Sequence, residues 1–500
     1  MHTSSDFILN LIKGELSLTE GELGLAKYLK IKIFIKAKIE DQSIPRESQL
    51  PSTRKLSEVL GVSRSTTVKA FELLLIEGSI ESRPGSGYWV KKIDISYTKT
   101  ERISQLSNYP EISKRGKLFS KNVGLLHSTD EKFVAFRPGL PPLDVFPINQ
   151  WKKISDEYWR RVKFSSLSFS DSSGIEVFKK NVANYLNLVR GIKCDYQQII
   201  IVSGSLQSLY LIGNALLNPK DTIVMENPTF PNVQSIFKSL GTKINELPLD
   251  NQGIKIKDYK SKGNTSPKLI HLTPSNHYPT GVRMSKQRKL EILEWASSHK
   301  AVIIENDYDH EISNWKDRQE AIFSLDRENR TVFLGTFNRL LHQSVRLGYM
   351  VVPYYLLDVI KALQKHSHRF VSPSNQFIMS QFIEKNYIYN HIKNVVNIAE
   401  KRRSIFIDNF KKYMPPSVKI MYSEARSLHL LAEIPDHLSD RIIKDNLSIL
   451  NINVHHYSNC FINNNKQGFI FGYSCVKRPV IEKAIRELSH TYKSYEKSNH

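Results

Sequence analysis

Polar, glycine-containing and basic segments follow several short apolar runs of this sequence, and some of their residues could bind an anion. Gly204 and Ser205 follow the apolar run 199–202 and open a stretch with helical spacing. Backbone amides at a helix start attract negative charge. Arg346 lies just before another apolar run, 349–352, and a guanidinium can hold a carboxylate or phosphate with two hydrogen bonds. These residues predict a site for a small anion.

The elements that must position these residues are strands that alternate with helices. The β-branched and apolar runs that predict strands are 199–202, 222–225, 269–272, 302–305, 331–334 and 349–352. Helical spacing lies between most of these runs, which indicates a mostly parallel sheet covered on both faces. Binding residues collect at the carboxyl ends of parallel strands, and the polar segments are placed there. Residues beyond about 375 begin with a long helix and end in a smaller α+β region.

A second group of polar residues lies near the N-terminus and is typical of DNA binding. A short helix is predicted after Ser52, Gly61 ends it, and a further helix begins after Ser63. Helix, glycine turn and helix form a helix-turn-helix. The first turn of the second helix would point into the major groove, where Arg64 can donate two bonds to a guanine edge.

A β-hairpin follows this pair of helices. Two short strands flank the segment 83–87, Arg-Pro-Gly-Ser-Gly, and a glycine tip lets the backbone approach a phosphate closely. The hairpin would be the wing of a winged helix. The interpretation as an ordinary helical hairpin is the alternative that the helix-turn-helix pattern alone leaves open.

Composition limits the class of protein. Five hundred residues predict two or more domains, and the net charge of +22 favours a polyanionic partner. Residues 1–100 carry 15 basic and 12 acidic side chains, so only +3 of that charge lies there and +19 lies in the other 400 residues. The charge therefore does not locate a DNA-binding face. The sequence predicts neither a membrane span nor a signal peptide, and a cytoplasmic location is expected.

Metal and disulfide chemistry are not predicted. The three cysteines, Cys194, Cys460 and Cys475, have no CxxC spacing. His277, His455 and His456 have no cysteine or carboxylate cluster at ligand spacing around them, so ordinary surface or pocket histidines are the favoured interpretation.

Residues 50–90 as a whole resemble the GntR-type winged helix. The resemblance implies that this region binds double-stranded DNA. The residues that fall where that family contacts DNA are Arg54, Ser63, Arg64, Ser65, Thr66 and Gly85.

The strand-end segments of the larger region resemble the fold-type I pyridoxal phosphate proteins. They include 136–141 (FRPGLP), 203–207 (SGSLQ), 226–230 (ENPTF), 273–281 (TPSNHYPTG), 305–309 (ENDYD) and 335–339 (GTFNR). Together with the winged helix, they resemble the MocR-type regulators over roughly residues 22–490. The resemblance implies an α/β fold: an N-terminal winged helix-turn-helix joined to an aminotransferase-like domain with a mostly parallel seven-stranded sheet and a small C-terminal α+β subdomain.

The resemblance also predicts the domain limits. They are 22–92 for the winged helix, 93–133 for a linker, 134–375 for the large aminotransferase-like domain and 376–490 for its C-terminal part.

The resemblance further implies that the cofactor site is degenerate. The family carries a Ser-Lys pair where this sequence has Asn338 and Arg339, and the lysine forms the Schiff base with pyridoxal phosphate. A guanidinium stays protonated and cannot form that imine. The family aspartate that keeps the pyridine nitrogen protonated corresponds to Asn306. Asp307 is adjacent, but on a strand its side chain should point to the other face.

Other parts of the family's cofactor site are partly retained. A tyrosine of the family's phosphate segment is replaced by Phe169, and no arginine for a substrate carboxylate is found near 468–473. The residues predicted to remain for cofactor or anion binding are Gly204, Ser205, Tyr308, Asn338 and Arg346. Pyridoxal phosphate is therefore implied by resemblance only, and covalent attachment is not expected.

Three functions remain open from the sequence. The first is a regulator whose large domain dimerises or senses a small anionic effector held by Arg339 and Arg346. The second is a working pyridoxal phosphate-dependent aminotransferase, which Arg339 disfavours. The third is a DNA-binding protein whose large domain only dimerises. A homodimer is expected from the family, with each DNA-binding unit on one half-site.

Overall fold

The computed structural model describes residues 5–16, 26–91, 110–126, 135–261, 266–312, 319–421, 426–463 and 466–498. The chain forms two compact units, Met1–Glu111 and Ile112–His500. Most of the predicted linker, residues 93–109 and 127–133, lies outside the described residues. The helix Lys114–Asn122 lies between those two ranges and is part of the larger unit.

The smaller unit is a helical core with one hairpin. Its elements are α1 (Ser5–Glu15), α2 (Lys27–Glu40), α3 (Thr53–Leu60), α4 (Arg64–Ile76), β1 (Ile80–Arg83) and β2 (Gly87–Val90). Ile31, Ile35 and Ile39 of α2 recur every four residues and are buried, so this helix presents one apolar face to the core. Helix α1 precedes the predicted limit of the winged helix. Its Ile8 and Ile12 are fully buried in the same core.

Among the described residues, the larger unit contains thirteen α-helices around two sheets. They are α5 (Lys114–Asn122), α6 (Ile148–Arg161), α7 (Phe164–Ser168), α8 (Glu176–Arg190), α9 (Ser205–Leu216), α10 (Pro231–Ser239), α11 (Lys286–His299), α12 (Ile322–Leu325), α13 (Tyr354–Ser367), α14 (Pro373–Glu384), α15 (Tyr387–Tyr413), α16 (Asp440–Ile449) and α17 (Arg478–Ser498).

The main sheet lies between helical layers. Its strands are β3 (Ile199–Val202), β4 (Thr222–Asn227), β5 (Lys243–Asp250), β6 (Gly253–Ile254), β7 (Leu269–Leu272), β8 (Val302–Asn306), β9 (Thr331–Thr336) and β10 (Gly348–Val351). The spatial order is β3-β10-β9-β8-β7-β4-β5-β6. Strands β5, β4, β7, β8 and β9 pair in parallel, and β10 is antiparallel to both β9 and β3. The mostly parallel α/β architecture is confirmed.

The sheet has eight strands among the described residues, whereas the resemblance implied seven. Strand β5 was not predicted because its sequence, KINELPLD, alternates polar and apolar residues and contains a proline. Only the two-residue strand β6 lies beyond β5, so β5 does not need the continuous apolar run of a central strand.

The C-terminal region forms a smaller α+β layer. Its sheet contains β11 (Lys419–Met421), β12 (Leu430–Ile434), β13 (His455–His456) and β14 (Gln467–Phe471), in the order β11-β12-β14-β13. Helices α15, α16 and α17 pack their apolar faces on it. Across the described ranges, no helix combines the length and apolar character that a membrane crossing requires.

Candidate nucleic-acid interface and ligand cavity

The turn between α3 and α4 is fixed by side-chain caps that its own sequence supplies. The Ser52 hydroxyl accepts a hydrogen bond from the Lys55 amide, at 3.2 Å, and starts α3. Gly61 ends α3 in the left-handed conformation, with φ of 60°, which a residue with a Cβ rarely adopts. The Ser63 hydroxyl accepts from the Thr66 amide, at 3.3 Å, and starts α4. The helix-turn-helix is therefore a local consequence of the sequence.

The predicted DNA-contacting residues of the helix-turn-helix lie on the surface at the start of the two helices. Arg64 and Ser65 are exposed, and the Arg64 side chain has neither a hydrogen bond nor an ion pair with any described residue. Arg54 is also exposed, and its Nε lies 3.2 Å from Oε1 of Glu58, one turn further along α3. Arg64 is thus available to a partner, whereas Arg54 would have to leave an exposed ion pair.

The Ser63 hydroxyl forms hydrogen bonds within the turn. Its hydroxyl lies 2.9 Å from the Ser65 hydroxyl and 2.7 Å from the Thr66 hydroxyl, in addition to the capping bond. A small network of three hydroxyls therefore precedes the first turn of α4. Through these contacts Ser63 orients Ser65 and Thr66.

The hairpin β1–β2 presents an exposed tip. Gly85 is exposed and has φ of 74°. The Arg83 guanidinium stacks over the ring of Trp89, with 4.5 Å between Cζ and the ring centroid. Gln49 Nε2 donates to the Ser86 carbonyl, at 2.5 Å, and ties the tip to the segment before α3. Sequence reasoning did not single out Arg83, although a basic residue at the base of a glycine tip is a usable signal.

A cavity of about 260 Å³ opens at the carboxyl ends of the parallel strands in the larger unit. The cavity is lined by all seven residues of this region that were assigned to the cofactor site from the sequence: Gly204, Ser205, Asn306, Tyr308, Asn338, Arg339 and Arg346. They come together because β3, β8 and β9 end at this edge. Strand β10 runs antiparallel, so its start, next to Arg346, lies at the same edge.

Further residues line the cavity that sequence reasoning did not assign to a site. They are Arg137, Pro138, Gly139, Leu206, Phe230, Asn232, Thr273, Tyr278, Thr336, Gln343 and His455. Several belong to segments that resemble the family. The resemblance could therefore have assigned these segments to the site, but it could not show which of their side chains line the cavity. Because the cavity is lined by Arg137, Arg339 and Arg346, it is strongly basic.

Arg339 lies across the ring of Tyr308. Its Cζ is 4.7 Å from the ring centroid, a cation–π arrangement. The backbone of Gly139 approaches the same guanidinium so closely that a Cβ at this position would lie 3.3 Å from Arg339 Cζ. An aromatic face and a glycine therefore hold the Arg339 side chain at the cavity wall.

Asn338 connects two strand ends, and both atoms of its side-chain amide form hydrogen bonds within the protein. Its Nδ2 donates to the Ser203 carbonyl, at 3.0 Å, and its Oδ1 accepts from the Leu347 amide, at 2.8 Å. Ser203 precedes α9, and Leu347 precedes β10. Asn338 therefore fixes the positions of the α9 N-terminus and of Arg346 relative to each other.

Asn306 ends β8 and is 5% exposed. Its amide nitrogen lies 3.2 Å from Nε2 of His271 on β7, and its Oδ1 has no hydrogen-bond partner among the described residues. Burial lowers the pKa of His271 to about 3, so this imidazole is neutral at physiological pH. The Asn306–His271 pair is uncharged. Sequence reasoning missed His271, which lies in the middle of an apolar strand.

Asp307 points away from the cavity, as alternation along the strand suggests. It is 2% exposed, and its Oδ2 accepts from Arg190 Nε at 2.7 Å. Its carboxyl is buried, but the Arg190 guanidinium lowers the pKa of Asp307. Asp307 therefore belongs to a buried ion pair on the far side of β8.

Two buried acids lie directly behind the cavity wall. Glu226 accepts from the amide and the hydroxyl of Thr273, at 3.0 and 2.8 Å, and burial raises its pKa to about 8. Asp309 accepts from Nδ2 of Asn276, at 2.9 Å, and burial raises its pKa to about 8. Both carboxyls are mostly protonated at neutral pH, so they do not offset the cavity arginines.

The Tyr308 hydroxyl donates to the Asn276 carbonyl, at 3.0 Å, and is buried with it. Phe169, the other residue compared with the family's site, is 70% exposed and does not line the cavity. The described residues contain no group of three or more His, Cys, Asp or Glu side chains placed to hold a metal ion.

The fold and the two sites define a winged helix-turn-helix joined to an aminotransferase-like α/β domain. The family model for aminotransferase class I and II matches residues 144–461, and the model for bacterial regulatory proteins of the gntR family matches residues 27–90. The chain belongs to the aminotransferase class I and II family and carries the gntR-family domain in front of it, which is the arrangement of the MocR-type regulators.

Relatives with the same arrangement are named as regulators. The chain is 28% identical over 465 residues to the probable rhizopine catabolism regulatory protein MocR of Rhizobium meliloti, covering 93% of each chain. It is 25% identical to the pyridoxine biosynthesis transcriptional regulator PdxR of Corynebacterium glutamicum, over 72% of this chain and 73% of that one.

The larger unit also has the fold of solved aminotransferases. The kynurenine aminotransferase of Pyrococcus horikoshii matches with a TM-score of 0.67 and 23% identity. The match covers 79% of this chain and 97% of that protein. This likeness supports the fold.

Proposed function

We propose that this protein is a DNA-binding transcription regulator whose aminotransferase-like unit has lost catalysis and holds a small anionic effector. The observation that carries the proposal is the composition of the cavity. Three arginines line it, and no lysine occurs among the described residues that line it. A site of this kind is suited to binding an anion and unsuited to forming an imine.

Pyridoxal phosphate is the cofactor of the family, and the residues present do not fit its covalent attachment. An imine needs an amine that can lose its proton, but Arg339 stays protonated. An amide at Asn306, paired with a neutral His271, cannot stabilise a pyridinium as a carboxylate does. The start of α9 at Ser205 and the Arg346 guanidinium still suit a phosphate or carboxylate. We therefore propose non-covalent binding of an anion and no transamination.

The DNA-binding role rests on Arg64 and its neighbours. Their side chains are exposed at the N-terminus of α4, directly after a three-residue turn, where a recognition helix meets base edges. We further propose that the protein acts as a homodimer in the cytoplasm, with one winged helix on each half-site.

Two measurements test this proposal. Selection of fragments from the source genome with the purified full-length protein should enrich a small set of sequences that contain two half-sites. Unspecific recovery of fragments would contradict sequence-specific regulation.

The second measurement concerns the cofactor. After incubation with pyridoxal phosphate and reduction with borohydride, mass spectrometry should find no cofactor on any lysine of the cavity. A pyridoxyl group on such a lysine would contradict the loss of catalysis and would favour a working aminotransferase.

A further inference from the structure

Two residues that line the cavity have an amide oxygen without a hydrogen-bond partner among the described residues, Asn232 and Asn306, and Asn306 is the more buried of the two. Asn306 is 95% buried, lines the cavity and has no partner for its Oδ1 among the described residues, while its amide nitrogen faces His271. A buried carbonyl oxygen without a hydrogen bond destabilises the structure, because it has lost its hydrogen bonds to water. A ligand that donates an N–H or O–H to this oxygen would remove that destabilisation.

The charge of the cavity restricts which donor is acceptable. Among the described residues that line the cavity there are three arginines and neither aspartate nor glutamate. The neighbouring acids Glu226 and Asp309 are buried and have pKa values raised to about 8, so they are mostly uncharged at neutral pH. An ammonium group in this cavity would meet like charges and would have no ionised carboxylate to pair with.

We infer that the cavity selects an anion that carries an uncharged hydroxyl or amide N–H donor and lacks an amine. Asn306 is the residue that accepts the hydrogen bond from this donor. This inference rests on the proposed function, because it names the ligand class of the proposed anion site. It separates the ligand from amino acids, whose ammonium group the cavity disfavours. Arg339 and Arg346 hold the anionic end, and Asn306 Oδ1 accepts from the neutral end.

The test compares ligands that share one carbon skeleton and differ in one functional group. L-2-Hydroxyglutarate, 2-oxoglutarate and L-glutamate carry a hydroxyl, a carbonyl and an ammonium group at the same carbon. Pyridoxine 5′-phosphate and pyridoxamine 5′-phosphate form a larger pair that differs by a hydroxyl and an ammonium group. Binding of each probe to the full-length protein is measured by calorimetry and by thermal shift at pH 7.

The expected order is hydroxyl first, carbonyl second and ammonium last. The hydroxyl member of at least one set should bind about tenfold or more tightly than the ammonium member, because both groups can donate to Asn306 Oδ1 but only the ammonium group is repelled by the arginines. Equal affinities within both sets, or tighter binding of the ammonium members, would overturn the inference. Absence of binding by every probe while inorganic phosphate binds would also overturn it.

Asn306→Asp is the matched variant, since the two side chains have the same shape. A carboxylate at this position should shift the ratio of hydroxyl to ammonium affinity about tenfold toward the ammonium member. Asn306→Leu provides a second variant of similar size that removes the acceptor without adding charge or another hydrogen-bonding group. It should weaken the hydroxyl members more than 2-oxoglutarate, which has no donor at that carbon. An unchanged hydroxyl-to-ammonium ratio in folded Asn306→Asp protein would overturn the assignment to Asn306.

Arg339→Gln separates this inference from the proposed function. If no anionic probe binds the unsubstituted protein, inorganic phosphate included, and the variant behaves identically, the anion site itself is wrong. If anions bind and Arg339→Gln weakens them, but hydroxyl and ammonium members remain equal, only the donor selection is wrong.

Discussion

The two sites of this protein are built in opposite ways. The residues predicted to meet DNA lie within Arg54–Gly85, and several of them are exposed side chains of short capped elements. The cavity residues come from segments between Arg137 and His455, and many are buried. A surface site of this kind can lose a side chain without loss of the fold. The cavity depends on contacts between distant strand ends, so its function and stability are coupled.

The largest expected effect comes from a change in the close packing behind the cavity. A Cβ at Gly472 would overlap the Arg137 backbone carbonyl and lie 2.6 Å from Cα of Pro138. Gly472→Ala should therefore destabilise the larger unit by about 3 kcal/mol or more. Thermal unfolding followed by circular dichroism measures the loss.

Gly124 provides the matched control for that substitution. Nothing lies within 4 Å of a Cβ built there, and Gly124→Ala should leave the melting temperature nearly unchanged. Equal stability of the two variants would show that the backbone around Gly472 can move to accommodate a Cβ, contrary to the prediction.

The next effect concerns the buried acid behind the wall. Glu226 has a folded pKa of about 8 against an ordinary value of 4.5, with burial as the main cause. Between these values the unfolded chain loses its proton while the folded chain keeps it, so stability falls as pH rises from 4.5 to 8. Glu226→Gln removes this titration and should gain about 3 kcal/mol relative to the unsubstituted protein between pH 5 and pH 8.

Denaturant unfolding at pH 5, 6.5 and 8 measures that difference, with the surface substitution Glu72→Gln as a control that should show no such trend. A constant difference between the two proteins over this range would mean that Glu226 is ionised in the fold.

A third prediction addresses the exposed site. Arg64 has no partner among the described residues, so Arg64→Ala should not change the melting temperature. It should weaken binding to a selected DNA fragment about 10- to 100-fold, as expected for a bidentate contact to a guanine. Fluorescence anisotropy at fixed salt measures the affinity. The exposed Glu72→Ala, on the same helix, is the control, and an equal loss in both variants would argue against base contact by Arg64.

The smallest expected effect concerns the cap of α4, on which the position of the DNA-contacting side chains depends. Ser63→Ala removes the cap of α4 and the contacts that orient Ser65 and Thr66. It should destabilise the smaller unit by about 1 kcal/mol and weaken DNA binding slightly. Ser63→Asn, which can also cap, should restore the stability. If the asparagine variant is as unstable as the alanine variant, the cap is not the source of the effect.

The local features were predictable because adjacent residues determine them. Ser52, Gly61 and Ser63 set the turn between α3 and α4, and the apolar runs set most strands of the main sheet. The family resemblance then indicated which strand ends would meet. Helix α1 and strand β5 were not predicted, because Asn10 interrupts the apolar residues of α1 and because β5 lacks a continuous apolar run.

Residue identity alone establishes that Arg339 cannot act as an imine-forming amine and that Asn306 carries no charge, because these are properties of the side chains. The contacts of those side chains follow from the three-dimensional fold. Arg339 stacks on Tyr308, Asn306 faces His271, and Asn338 ties Ser203 to Leu347. These partners lie at or next to the ends of different strands, and no local periodicity in the chain records which strand ends become neighbours.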